Sequence, residues 1–342
     1  MADVLTFTAR GIYCPAGDFY IDPWRPVDRA LITHGHADHS RWGMKSYLAT
    51  QAAAPVMRHR LGDVSLDTIR YNEVRQIGGA KVSFHPAGHV PGSAQIRVEV
   101  SGEVWVASGD YKTVADGLSE PFEPVKCHAF ITECTFGLPI FKWLEEATLT
   151  AQINAWWAAN AAEGRTSIIG AYALGKAQRL LTCVDPAIGP ILTHGAVEDT
   201  NAVLRAQGVR LPDTIRVTPE TKSADYPGAL VIATPSALGT SWGRRFGPSS
   251  TAFASGWMAL RGVRLRKAAD RGFVVSDHAD WDGLNSAIRE TGATKIFATH
   301  GYTAAFQRWL AEEGYDAHIV STGYTGETGD DTEEATTEGD AS

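Results

Sequence analysis

Thr33-His34-Gly35-His36-Ala37-Asp38-His39-Ser40 packs four metal-competent side chains into six residues. The run Ala30-Leu31-Ile32 before it is short and apolar and stops at Thr33 and Gly35, which reads as a buried strand emptying into a loop. Side chains two apart in an extended segment point the same way, so His34 and His36 share a side and can grip one metal ion. Asp38 and His39, past the bend, face a neighbouring position. Imidazole with carboxylate suits zinc, manganese or iron better than a metal that prefers thiolate.

Working outward, other strand ends carry similar groups. Residues 4–22 suggest two strands joined at Cys14-Pro15-Ala16-Gly17-Asp18 and ending at Asp22. Asp22 either orients a histidine or caps a turn ahead of Pro23, and spacing alone does not choose between them. Residues 46–61 read as a strand and a helix. Ser83-Phe84-His85-Pro86-Ala87-Gly88-His89 ends another strand, and its two histidines compete for a ligand role. His89 lies between Gly88 and Pro91-Gly92, where backbone can approach closely. Gln95–Val100 and Val104–Ala107 form a hairpin whose second strand runs to Asp110, and Ala129-Phe130-Ile131-Thr132 runs to Glu133. Strand ends at Asp22, His34, Asp110 and Glu133 thus deliver acids or histidines to loops, as a layered α/β fold does when it collects a site at one sheet edge.

From Thr148 the pattern turns helical, with Leu149, Ile153, Trp156 and Trp157 on one stripe and Gly164 as the stop. Ser167–Ala173 is a strand and loop leading to a helix near Gly175-Lys176-Ala177-Gln178-Arg179. Lys176 and Arg179, one turn apart at a helix start, either hold a phosphate or are solvated. Ile191-Leu192-Thr193 leads to His194-Gly195 and a further helix, and Leu230–Ala233 is another buried strand. This alternation makes the middle of the chain a small α/β domain of its own. Later strands end in Asp277-His278-Ala279-Asp280 and in Thr299-His300-Gly301. Beyond Tyr324 the composition buries too little apolar surface to fold, which predicts a disordered acidic tail.

A chain of 342 residues with 44% apolar content can bury a large core and suits one domain with an insertion, or two domains. No run reaches the length of a membrane helix and the start lacks a secretory pattern, so a cytoplasmic location is expected. Cys14, Cys127, Cys134 and Cys183 are scattered without metal-ligand pairing and read as reduced, buried thiols. Net charge is −8, yet residues 327–340 hold seven acids and no base. From Phe141 to Arg271 there are fifteen Lys and Arg against ten Asp and Glu, a basic middle in an acidic frame that would suit a polyanion.

The ordered set Asp22, His34-x-His36-x-Asp38-His39, His89, Asp110, His278 and His300 resembles the metallo-β-lactamase superfamily. More narrowly it looks like the β-CASP nucleases, on four marks: Glu133-Cys134-Thr135-Phe136-Gly137 in place of Glu-Ser-Thr-Tyr-Gly, Ala171–Gln178, Asp277-His278-Ala279-Asp280, and Thr299-His300-Gly301. Tyr13–Asp18 and Asp22–Asp28 look most like the bacterial ligase-associated DNA exonucleases. The resemblance covers residues 4–325. It implies an α/β fold: an αββα metallo-β-lactamase sandwich from residues 1–140 and 266–325, a β-CASP cap from 141–265 over the metal edge, and the tail at 326–342.

It also implies two divalent metal ions, zinc or manganese. His34, His36, His89 and Asp110 would hold one, and Asp38, His39, Asp110 and His300 the other, with Asp22 behind them. The preference for His89 over His85, and for His300 over His194, comes from the resemblance. His278 would act as general acid, oriented by Glu133, with Asp38 beside them in the catalytic set. Lys176, Arg179, His194, Arg244, Arg245, Arg261 and Arg264, with Arg266 and Lys267, would meet substrate, and Trp242 and Trp257 offer stacking faces. The implied activity is metal-dependent exonucleolytic hydrolysis of DNA, single-stranded and in repair, with nucleic acid as partner, a functional link to a DNA ligase and helicase, and no membrane. The alternatives are RNA processing, which the histidine at position 300 favours, a thioester or lactone hydrolase, and an inactive nucleic-acid-binding subunit.

Overall fold

The hairpin across Ser101 and Gly102 forms, with Ala94–Val100 paired antiparallel to Glu103–Ala107, in the computed structural model, which describes residues 3–266 and 269–323. Lys267 and the acidic tail lie outside the described residues. The described residues divide into two compact units, one of residues up to 142 joined by 277–323, the other of residues 143–276. The second unit continues past the boundary expected at 265, because Arg271–Phe273 pairs with Ser249–Ala254 at the edge of its sheet.

The first unit holds two sheets. One runs Thr6–Thr8, Gly11–Cys14, Phe19–Ile21, Ala30–Leu31, Tyr47–Thr50, Leu66–Ile69, antiparallel at its first two pairings and parallel thereafter. The other places Ala129–Glu133 between Glu103–Ala107 and Lys295–Thr299, parallel to both, with Asp316–Ile319 at one edge and Val74–Ile77 at the other. Period-two alternation puts Ile12, Phe19, Ile21 and Leu31 of the first sheet into one core with Val82, Phe84, Ile96, Trp105 and Ile131 of the second. The far face of each sheet is covered by helices. Ala54–Leu61 supplies Met57 and Leu61 to one side, while Trp281–Thr291 and Thr303–Glu312 supply Leu284, Ile288, Phe306 and Leu310 to the other.

The second unit is built on a six-stranded, wholly parallel sheet in the order Ile215–Arg216, Ile191–Thr193, Leu230–Ala233, Thr166–Gly170, Ser249–Ala254, Arg271–Phe273. Its central strands Leu230–Ala233 and Thr166–Gly170 are buried on both faces, as parallel strands covered on both sides are. The helix expected from Thr148 spans Glu146–Ala162 and buries Leu149, Ile153, Trp156 and Trp157. The fold is therefore mixed α/β with three sheets among the described residues. Among those residues no helix is long and apolar enough to cross a membrane, and the four cysteines are buried and unbridged.

Candidate metal centre

Strand Ala30–Leu31 ends where Thr33 turns the chain toward its histidines. Asp22 stands behind that turn in a left-handed backbone conformation, φ +41°. One of its oxygens accepts the Thr33 amide at 2.8 Å, and the other lies 2.5 Å from the Thr33 hydroxyl and 2.8 Å from His39 Nδ1. Asp22 thus orients a histidine and also holds Thr33, eleven residues on, a contact with the metal-loop turn rather than with the turn at Pro23. Arg60 clamps the same loop from the helix Ala54–Leu61, donating to the Gly35 carbonyl at 2.5 Å and the Ser40 hydroxyl at 2.6 Å. No sequence pattern pointed to Arg60.

His34 Nε2 and His89 Nε2 each approach His36 Nδ1, at 3.1 and 3.0 Å. Asp110 Oδ2 lies 3.7, 3.5 and 3.8 Å from ring nitrogens of His34, His39 and His89. These contacts bring strand ends far apart in sequence to one point. Ligand atoms of His34, His36, His89 and Asp110 form one group within 4.8 Å of one another, and those of Asp38, His39 and His300 form a second. Gly109 permits this approach, since a side chain there would meet Thr33 at 2.6 Å. His85, the competitor of His89, instead pairs with Ser83 at 2.9 Å and joins neither group.

The surroundings fix which nitrogens face inward. His89 Nδ1 lies 2.8 Å from the Asp277 carbonyl, so that nitrogen carries the proton and Nε2 turns a lone pair to the cluster. His39 Nδ1 stands in the same relation to Asp22. Burial, together with neighbouring histidines, holds His34 and His89 well below the usual imidazole range and keeps them neutral. Burial also lowers His300. For His39 burial acts downward too, but Asp110, Asp38 and Asp22 lift it well above that range. Burial opposes ionisation of Asp110, yet His39 brings it well below the usual carboxylate range. Asp110 Oδ1 is buried and finds no hydrogen-bond donor among the described residues. Converging imidazoles, with His34 and His89 held neutral, and a carboxylate with such an oxygen are a donor set that fits divalent cations.

Beside this cluster, His278 Nδ1 lies 2.8 Å from Glu133 Oε1, while Glu133 Oε2 accepts the Thr135 amide at 3.0 Å. Asp110, Glu133 and His278 form a third close group. Phe136 packs edge-on to the His278 ring, 5.8 Å between centroids. Asp280, two residues on, caps the helix Trp281–Thr291 through the Gly283 amide at 2.9 Å.

The candidates in the second unit are placed differently. Lys176 and Arg179 are 1% and 6% exposed, so the reading of solvated helix residues is corrected. Lys176 Nζ sits 4.8 Å over the Tyr172 ring, and Arg179 Nη1 donates to the Ser276 carbonyl. His194 accepts the Ala196 amide at 3.2 Å as N-cap of the helix Gly195–Ala206, and its ring meets Trp242 edge-on at 4.9 Å. Arg244, Arg245, Arg261 and Arg264 are exposed. Arg244 and Arg245 also donate to the carbonyls of Gly239 and Thr218, at 3.1 and 3.0 Å. Trp242 and Trp257 are half-buried.

No family model matches the chain. Over 316 residues it is 27% identical to a probable DNA ligase of Opitutus terrae, covering 91% of this chain and 30% of that one. It is 26% identical over 213 residues to an RNase J-like protein of Methanocaldococcus jannaschii, covering 52% of this chain and 50% of that one. It is 27% identical over 183 residues to the cleavage and polyadenylation specificity factor 73 of Drosophila melanogaster, covering 51% and 26%. These likenesses support the β-CASP metallo-β-lactamase nucleases as the family that the chain resembles. The chain spans half or less of the length of these curated relatives. A solved structure of a protein of unknown function from Enterococcus faecalis V583 shares the fold, with TM-score 0.61 at 12% identity over 86% of this chain and 79% of that one. Within the β-CASP pattern this chain departs at Cys134 and Phe136, where the motif has Ser and Tyr. Cys134 is buried, and its Sγ lies 2.8 Å from the His300 carbonyl.

Proposed function

We propose that the chain is a metal-dependent phosphodiesterase that degrades DNA from an end, acting on single strands in repair. The observation that carries this reading is Asp110 standing within 3.5–3.8 Å of three imidazoles, with the Glu133–His278 pair of 2.8 Å beside it. On this reading the first unit is the αββα metallo-β-lactamase sandwich and residues 143–276 are the inserted β-CASP domain. The ligand sets are those given above, with Asp110 common to both ions. Divalent ions bound there supply Lewis acidity toward phosphate oxygens and make water more acidic.

The chain's own groups do the rest. His34, His36, His89, Asp38, His39, Asp110 and His300 set the position of the phosphate by fixing what binds it. Glu133 accepts the His278 Nδ1 proton and favours the imidazolium, so that Nε2 can deliver a proton to the departing sugar oxygen. After transfer the Nδ1–H bond to Glu133 remains and the ring is neutral. The exposed Arg244, Arg245, Arg261 and Arg264 carry the sugar–phosphate backbone, which makes binding weaken as salt rises. DNA is preferred because the relative that matches 91% of this chain is named a probable DNA ligase, and that name also supports a working link to a ligase. RNA processing is the second reading, supported by His300 in the metal cluster and by the relatives named for RNA work.

One panel tests this: end-labelled single- and double-stranded DNA and RNA, with zinc or manganese, scored by product length. Shortening of DNA from one end is expected. Cutting of RNA alone overturns the DNA assignment, and intact substrates with ions bound favour an inactive binding subunit. Turnover confined to thioesters or lactones removes the phosphodiesterase reading.

A further inference from the structure

His300 holds an unusual backbone conformation, φ +57°, and Gly301 follows at φ +67°. Two left-handed residues in succession, the first of them not a glycine, carry strain that their neighbours must offset. The support comes from residues 134 and 135. A side chain at Gly301 would lie 2.4 Å from the Cys134 carbonyl oxygen and 2.4 Å from Thr135 Cα, so the turn is pressed directly against that segment. The Cys134 amide donates to the Thr299 carbonyl at 2.9 Å, and the Tyr302 amide donates to the Cys134 carbonyl at 3.2 Å.

The Cys134 side chain completes the grip. It is fully buried, with Sγ 2.8 Å from the His300 carbonyl and 3.3 Å from that of Thr299. Backbone bonds flank the turn on either side, and the thiol reaches the carbonyl of the residue whose ring enters the cluster. We propose that the Cys134 thiol is the positioning residue for His300, fixing its ring against Asp38 and His39. Glu133, the preceding residue, reaches His278, so one two-residue segment aligns two functional histidines through two different side chains. The inference rests on the reading of His300 as a metal ligand and adds to it what holds that ligand in place. A separation of 2.8 Å suits an O–H donor better than the longer, weaker S–H donor. Serine is therefore expected to keep the grip and alanine to lose it.

The test uses the full chain, stripped of metal and titrated with Co²⁺, read by visible absorption and calorimetry, with the metal-free melting temperature measured in parallel. Wild type takes up two equivalents. Cys134→Ala keeps the first and weakens the second by roughly tenfold or more, as loss of a group that orients a ligand does. Cys134→Ser binds both equivalents as wild type or tighter. His300→Ala loses the second equivalent outright. Retention of both equivalents by His300→Ala, or a single equivalent in wild type, breaks the reading of His300 as ligand and the inference with it. If His300→Ala behaves as expected, Cys134→Ala binding like wild type overturns the inference alone. Equal weakening of both equivalents with a lowered melting temperature also overturns it, because that is general loss of packing. Should the alanine variant not fold, the serine variant decides: second-site binding at or above wild type supports the grip, and a weakening of about tenfold refutes it.

Discussion

The triplet Thr-His-Gly occurs at residues 33–35, 193–195 and 299–301, each time at or near a strand end, and only two of the three histidines join the metal cluster. In the first and third the threonine hydroxyl turns to the neighbouring ring, 3.0 Å from His34 Nδ1 and 3.2 Å from His300 Nδ1. Thr193 instead donates to Glu198 at 2.6 Å, and His194 Nδ1 accepts the Ala196 amide. The backbone explains the split. His194 is extended, φ −60° and ψ 150°, so Gly195 opens a helix at once and the imidazole caps it. His300 is left-handed, and the next helix waits until Thr303. An identical triplet becomes a cap or a metal-facing group according to what the chain does one residue later.

The largest effects should fall in the first unit. His278→Ala is expected to keep both ions and lose turnover by about 10²- to 10⁴-fold, the range for removal of a general acid. His36→Ala should lose metal as well as turnover. Metal content alongside rates separates the two, and equal metal loss in both variants removes the assignment of His278 as acid.

Next in size is the response to ion removal. A bound ion stabilises the folded state by mass action, about 2.7 kcal/mol at a hundredfold excess over its dissociation constant. Chelation should therefore lower the melting temperature of wild type and of His194→Ala alike, and lower that of His300→Ala less. A His194 variant that no longer responds to chelator would place that histidine among the ligands and erase the distinction between the triplets.

His194→Ala itself should cost only about 1 kcal/mol, the usual loss for an N-cap, with metal binding unchanged. Unfolding by denaturant, followed with and without metal, measures it. A loss of several kcal/mol would mean that the contact with Trp242 matters more than the cap.

How much of this was readable beforehand depends on how local the signal was. The His34–His39 cluster, the hairpin across Ser101 and Gly102 and the helix stopped by Gly164 are set by neighbours in sequence, and each forms. His89 and His300 could not be told from His85 and His194 by position, because that choice depends on which strands lie side by side, and only the family likeness separated them. Asp22 was ambiguous for another reason: its partners, Thr33 and His39, lie eleven and seventeen residues on, beyond the local turn at Pro23. Lys176 and Arg179 read as either a phosphate site or solvated helix residues. Their partners, the Tyr172 ring and the Ser276 carbonyl, belong to no pattern a window can detect. Cys134 did leave a trace, as a departure from the Ser of the motif, but a trace of identity rather than of geometry.

The smallest effect comes from the carboxylates behind the threonines. Thr33 reaches Asp22, which also holds His39, so a change there should reach the metal. Thr193 reaches Glu198, which also accepts from Thr214, Arg205 and Asn201 at 2.6, 2.8 and 3.3 Å and holds the unit together locally. Burial opposes ionisation of Glu198, but these hydrogen bonds outweigh it and leave its carboxyl below the usual range. A carboxyl depressed in the folded state binds its proton more readily when unfolded, so its contribution is present above the unfolded value and is lost as pH falls through the folded one. Glu198→Gln should therefore be less stable than wild type near neutrality. The gap should close toward about pH 3, below the ordinary glutamate range. Denaturant curves at the two pH values, with metal titration beside them, check this. A gap that widens in acid reverses the sign of the linkage, and a change in metal affinity would show that the triplet at 193–195 is coupled to the cluster after all.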